Sequence, residues 1–292
     1  MGREICISKL GLTMIDNNCL ATIGLSDPQQ LKEAGQKVVY KANSEEFGMV
    51  IVKVMKPNQD PRRVLREIDI VKNIKELNTS KIFKNDSLRC KGVDYLYVIE
   101  EFISGENLRD YISRVGTVTF DEVCKFLNTM LDELVILERN NFVHRDIKPD
   151  NIMRDEKGNF ILIDYGIARD LSGTSYTDPE SATGPATIAY APMEQIDNEK
   201  ENISSQVDLY SVSLVAYEMI SGINPFSDGC STISQVIRKI ETGNFEFLEN
   251  EHFSEMLEFI HTNMSRYRTK RAKSASYARE WFDDIYTNLC RE

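Results

Sequence analysis

Residues 204–222, SSQVDLYSVSLVAYEMISG, set the strongest limit on the fold. Apolar and small side chains fall on nearly every side of a 3.6-residue period there, so a helix over this stretch has no face for water. It must lie at the centre of its lobe. A second stretch, FDEVCKFLNTMLDELVILERNN, puts Val123, Phe126, Leu127, Met130, Leu131 and Leu134 on one face, with Asp121 and Glu122 in the first turn. That is the pattern of an amphipathic helix whose acidic start suits the helix dipole.

The first hundred residues have a different character. QKVVYKAN and MVIVKVM are apolar, β-branched runs separated by the turn-like SEEFG, so a hairpin is expected. PRRVLREIDIVKNIKEL follows, with Val64, Ile68, Val71 and Ile74 at helical spacing and Pro61 near its start. YLYVIEEFI reads as a further strand and SGEN as a connector. The expected architecture is therefore α+β in two lobes, a strand-rich N-lobe over 1–103 and a helical C-lobe over 104–292, meeting near residues 102–106. A chain of 292 residues can bury such cores without staples.

Charge and cysteine usage narrow the function classes. With 35 basic against 46 acidic residues the net charge is −11, which argues against non-specific binding to nucleic acid or an anionic membrane. Local basic clusters remain, as in SRYRTKRAK. Cys6, Cys19, Cys90, Cys124, Cys230 and Cys290 form no CxxC pair and have no histidine at ligand spacing. Reduced cysteines, neither a zinc site nor a disulfide framework, and a cytoplasmic protein are the expectation. No apolar run reaches the roughly 20 residues of a membrane span. MGREICISKL lacks a signal-peptide core, and Cys6 stands where a myristoylation signal wants Ser or Thr.

The chemistry is concentrated in VHRDIKPDNIM, residues 143–153, and ILIDYGIARD, residues 161–170. A histidine, an arginine, two aspartates, a lysine and an asparagine crowd a stretch that Pro149 keeps from being a long helix. A hairpin of NIMRD and FILID around the turn EKGN then delivers Asp164. Six specified residues in H-R-D-x-K-P-x-N arise by chance in a chain this long with a probability of roughly 10⁻⁵.

This set resembles the catalytic loop of the eukaryotic-type protein kinase family, with Asp164-Tyr165-Gly166 for the usual D-F-G. Other family positions follow in order. VIVK supplies the strand lysine, Lys53, and Glu67 stands mid-helix among Val64, Ile68 and Val71, where the family pairs a glutamate with that lysine. TIAYAPMEQ is similar to the family's T-P-x-Y-M-A-P-E segment, aligning Thr187, Tyr190 and Glu194, with the A-P pair displaced by one. Asp208 matches the aspartate that braces the catalytic loop, and Arg271 the arginine that pairs with Glu194. The likeness runs over residues 31–285.

What the resemblance implies is a kinase using ATP and Mg²⁺. Asp164 and Asn151 would ligate the metal, and Lys53, held by Glu67, would contact the α- and β-phosphates. Asp146 would take or orient the proton of the substrate hydroxyl, and Lys148 would stabilise the transferring phosphoryl. Lysine two residues after Asp146, together with Thr187, points to protein Ser/Thr substrates. Arg145 suggests an activation segment ordered by phosphate, with candidates at Ser172, Thr174, Ser175, Tyr176, Thr177, Ser181 and Thr183. Backbone groups of Glu101 and Ile103 would bind adenine. Glu100 falls at the gate behind it, where a carboxylate needs a partner. The family's G-x-G-x-x-G-x-V maps onto Lys32 to Val39, and Gly35 alone supplies glycine freedom there. Two rivals stay open. A pseudokinase would account for Tyr165, the displaced A-P and the thin glycine loop. A small-molecule phosphotransferase usually shows H-G-D and lacks the Thr187, Glu194 and Arg271 set.

Overall fold

The computed structural model describes residues 15–33, 37–57, 61–165, 169–170 and 188–291. The chain divides into two compact units, Met1–Arg62 with Lys81–Phe102, and Arg63–Ser80 with Ile103–Glu292. No helix among the described residues is long and apolar enough to cross a membrane.

In the first unit a short helix, α1 (Asn17–Ala21), precedes strands β1 (Leu25–Glu33), β2 (Lys37–Ser44) and β3 (Gly48–Met55). After helix α2 (Pro61–Asn73) come β4 (Ile82–Cys90) and β5 (Val93–Glu101). The five strands form one antiparallel sheet in the order β1-β2-β3-β5-β4. Alternate residues of β3 (Val50, Val52, Val54) and β5 (Tyr95, Tyr97, Ile99) are buried, with Tyr40, Ala42 and Leu88 beside them. Lys53, Met55, Val98 and Glu100 on the opposite face are buried as well, so the ends of these two central strands are covered on both sides. The register sets Val39 opposite Lys53 and Ile51 opposite Glu100.

The cysteine expectation is overturned here. Cys19 of α1 and Cys90 at the end of β4 form a disulfide, with 5.5 Å between their Cα atoms. They are 71 positions apart in sequence, and α1 comes to β4 only through the folded sheet. Spacing along the chain carried no trace of the pair. Cys124, Cys230 and Cys290 are free thiols.

The second unit is built on the helix Ser205–Ser221, in which every residue from Ser205 to Met219 is buried, as its all-round apolar pattern requires. Ser204 caps its start, accepting from the Gln206 N–H. Gly222 ends it at φ 79°, where an added Cβ would meet the Gly116 carbonyl oxygen at 2.7 Å, so only glycine fits. Helices α3 (Leu108–Val115) and α4 (Phe120–Arg139) follow a short strand, β6 (Gly105–Asn107). The inward face of α4 carries the six expected apolar residues, packing on the central helix and on the last helix, Ala275–Leu289. Glu138 of α4 stitches that last helix down, accepting from the Ser205 hydroxyl and the Ala275 and Ser276 amides.

Two buried polar contacts fix loops to this frame. The carboxylate of Asp208 accepts the backbone N–H groups of His144 and Arg145, each at 2.7 Å. Arg271, wholly buried, donates to Glu194 at 2.5 Å, to the Ser265 carbonyl at 2.7 Å, and lies over the Tyr210 ring.

Two outcomes follow. Arg271→Met leaves the Glu194 carboxylate buried without its cation and should lower the unfolding free energy by about 3–5 kcal/mol in denaturant titration, with part recovered when Glu194→Leu is added. Breaking the Cys19–Cys90 bridge by Cys90→Ser should cost about 4 kcal/mol through the long loop it closes, read as a fall in the unfolding midpoint of the sheet unit.

Candidate functional site

The loop that carries the chemistry is held at both ends and in the middle. After α4 the chain turns through Asn141, at φ 60°, into strand β7 (Phe142–Val143). A 3₁₀ turn, Pro149–Asn151, then leads into β8 (Ile152–Asp155), which pairs with β9 (Phe160–Leu162) as the expected hairpin. Asp155 closes its turn by accepting from the amides of Lys157 and Asn159. Between these anchors Arg145 has φ 68°, and Asp164 beyond β9 has the same value. Such a conformation persists in a non-glycine residue only where the surroundings hold it. For Arg145 they are the Asp208 carboxylate and the Gln195 amide, which donates to its carbonyl at 2.8 Å.

Asp146, Lys148 and Asn151 converge. The Lys148 ammonium lies 2.7 and 2.9 Å from the two carboxylate oxygens of Asp146. Asn151 donates through Nδ2 to the Asp146 carbonyl at 2.9 Å and to Oδ2 at 2.7 Å. Its side-chain oxygen is left to accept elsewhere. Burial pushes the Asp146 carboxyl above its ordinary range, and the Lys148 charge opposes that push. The Ile163 N–H donates to the Asn151 carbonyl at 2.9 Å, tying the segment that bears Asp164 to the same loop. His144 is fully enclosed and its imidazole is pushed down to about 4, so it is neutral, and it packs edge-on against Tyr165 with ring centroids 4.7 Å apart.

In the first unit Lys53 and Glu100 form a buried ion pair of 2.9 Å, with 8% of each side chain exposed. The carboxylate at the expected gate position thus has its partner, which offsets the cost of burying it. Glu67 belongs to the second unit, and its side chain lies outside the described residues. Glu101 closes β5, its N–H committed to the Lys81 carbonyl at 2.8 Å. Ile103, where the chain re-enters the second unit, is half-exposed, and Val39 is half-buried across from Lys53. Gly35, Thr187 and the candidate phosphorylation positions from Ser172 to Thr183 lie outside the described residues.

Sequence reasoning missed one cluster. Arg109, at the start of α3, donates to Glu218 of the central helix, to the Tyr190 hydroxyl at 2.5 Å, and through Nε to Asp150 at 3.4 Å. The Tyr190 hydroxyl also donates to Glu218. The signal was a second acid, Glu218, on the same buried helix as Asp208.

Residues 33–282 match the family described as Protein kinase domain. Among curated proteins the chain is 29% identical over 219 residues to a probable serine/threonine-protein kinase, pknA2, of Bifidobacterium longum, covering 73% of this chain and 28% of that protein. It is 28% identical over 234 residues to the serine/threonine-protein kinase cds1 of Schizosaccharomyces pombe, covering 76% and 48%. To the serine/threonine-protein kinase PrkC of Bacillus subtilis it is 32% identical over 148 residues, covering 51% and 22%. The match thus spans less than half the length of these relatives. With the family match running through the sheet unit, the Asp146 loop and the central helix, this chain belongs to the protein kinase domain family.

Proposed function

We propose that the chain is a serine/threonine protein kinase, passing the γ-phosphoryl of ATP to hydroxyl groups of protein substrates. The observation that carries this reading is the constellation of Asp146, Lys148 and Asn151, braced from below by Asp208. Phosphoryl transfer asks a protein for positioning and charge rather than covalent chemistry, and these groups supply both. Asp146, its carboxylate fixed by two donors, orients the substrate hydroxyl and takes its proton. Lys148 keeps a positive charge at that carboxylate and meets the charge that develops on the transferring group.

The donor set suits Mg²⁺. Asp164 offers a carboxylate, and Asn151, whose nitrogen is already bonded to Asp146, offers its amide oxygen. When bound, the metal would neutralise phosphate charge and orient the donor. Lys53 is the residue for the α- and β-phosphates, and Glu100 holds it within the sheet. The Glu101 carbonyl and the Ile103 amide are our reading of the adenine contacts, and Gly35 and Val39 our reading of the nucleotide-binding positions before Lys53. Glu67, whose side chain lies outside the described residues, is our reading of the family glutamate. Thr187 and Arg145 belong to substrate engagement and activation-segment order.

The alternative of a non-catalytic member loses one of its supports, because Tyr165 fills a wholly buried place with its hydroxyl bonded to Glu133. Proteins bearing serine or threonine are the partners this reading names, nucleic acid is not among them, and ATP as donor favours a cytoplasmic site of action. The Cys19–Cys90 bridge pulls against that location, since disulfides are rare in reducing compartments.

Transfer of labelled phosphate from ATP with Mg²⁺ to a generic protein substrate tests the reading. Asp146→Asn should lower kcat by about 10²–10⁴-fold, the usual weight of a positioned base. Asp164→Asn should remove the Mg²⁺-dependent signal. Transfer that survives in both variants would sink the proposal. Glu100→Gln, which leaves Lys53 a neutral neighbour, should raise the KM for ATP severalfold while kcat changes little; an unchanged KM would mean Glu100 only fills the strand.

A further inference from the structure

Glu133 has no role in the chemistry described so far, yet it is 2% exposed on the apolar face of α4 beside Met130, Leu134 and Leu137. A leucine would pack there. A carboxyl buried in such a place costs several kcal/mol unless its oxygens are bonded. Its two oxygens are divided between two partners: Oε1 accepts from the Tyr165 hydroxyl at 2.5 Å, and Oε2 accepts from the Asn78 backbone N–H at 3.1 Å. Asn78 in turn donates through Nδ2 to the Phe160 carbonyl at 3.0 Å. Phe160 opens β9, the strand that leads to Asp164, and Tyr165 is the residue after it. Asp164 is therefore bracketed along the chain by two residues tied, directly or through Asn78, to one carboxyl group.

The bracket matters because Asp164 holds φ 68°, in the left-handed region that an aspartate tolerates better than most residues yet keeps only where its surroundings hold it. The Ile163 amide on Asn151 fixes one side of it. On the other side Tyr165 is 1% exposed, its ring against His144 and its hydroxyl on Glu133. A phenylalanine would fill the same ring site and bond nothing. The hydroxyl of Tyr165 and the buried acid on α4 account for each other: each is the partner that makes the other affordable in the core.

We infer that Glu133 is a positioning residue, which holds the metal-binding carboxylate of Asp164 in place by anchoring the Tyr165 hydroxyl. This deepens the kinase reading and rests on the metal role given there to Asp164. The mechanical chain is short: one hydrogen bond, one aromatic ring and one peptide bond separate Glu133 from Asp164. A change at Glu133 should therefore appear as weakened use of metal, and not only as lost stability.

The test uses the full chain and four variants: Tyr165→Phe, Glu133→Met, Glu133→Gln, and Tyr165→Phe combined with Glu133→Met. Three quantities are read: kcat, the Mg²⁺ concentration that gives half-maximal transfer, and the thermal unfolding midpoint. Tyr165→Phe and Glu133→Met should each raise the half-maximal Mg²⁺ concentration roughly tenfold, below the hundredfold that a full ångström of misplacement costs. The double variant should be no worse than either single one, because both remove the same bond. Glu133→Gln keeps an acceptor for the hydroxyl and should recover most of the loss. Lowered unfolding midpoints with an unchanged Mg²⁺ requirement would overturn the inference, as would additive effects in the double variant. Should Glu133→Met not fold, Tyr165→Phe against Glu133→Gln still decides. A wild-type chain that transfers no phosphate would overturn the kinase reading and this inference with it. An active wild type, silenced by Asp164→Asn but indifferent to Tyr165→Phe, would overturn the inference alone.

Discussion

The contact on which the second unit's chemistry hangs is the carboxylate of Asp208 accepting the amides of His144 and Arg145. It stands in the first turn of a helix with no exposed side, so the acid cannot be satisfied by water. Burial pushes its carboxyl up to about 6, and the two amides work in the opposite direction by bonding the charged form. The loop thereby acquires a fixed point inside the core. From that point Arg145 takes its left-handed turn, and Asp146 is presented to Lys148 and Asn151. The central helix thus serves twice, as the spine of the packing and as the mount of the Asp146 loop.

Much of this could be read from the chain because it is written in short-range patterns. The all-round apolar helix, the striped α4, the β2–β3 hairpin and the hairpin that delivers Asp164 each follow from spacing within about twenty residues. The H-R-D-x-K-P-x-N stretch was legible for the same reason: Asp146, Lys148 and Asn151 lie within one loop and meet one another. The pairing of Glu194 with Arg271 spans 77 positions and came only through the family likeness.

What escaped was long-range and specific to this chain. Nothing in composition links Cys19 to Cys90, since their proximity depends on where α1 lands against β4. Glu100, the carboxylate 2.9 Å from Lys53, is reached by the offset pairing of β3 with β5, which spacing along the chain does not show. Nothing beside Arg109 in the sequence points to its partners, and only the fold brings Asp150, Tyr190 and Glu218 around it. In each case the hidden fact is which partner a residue meets across the chain, a quantity that periodicity does not encode.

Two of the chain's departures from the family pattern share one physical logic. Glu100 in β5 and Tyr165 beside Asp164 each put a polar group where the surroundings are dry, and each is answered by a partner within its own unit, Lys53 in one case and Glu133 in the other. An unanswered group there would cost on the order of 1–3 kcal/mol, a large part of the stability a domain has to spare. Substitutions of this kind are therefore tenable only in pairs. Judged one position at a time, Tyr165 resembles erosion of a catalytic motif; judged with Glu133, it is half of a bonded pair. The second view fits a chain that still presents Lys53, Asp146, Asn151 and Asp164 together with the contacts that hold them.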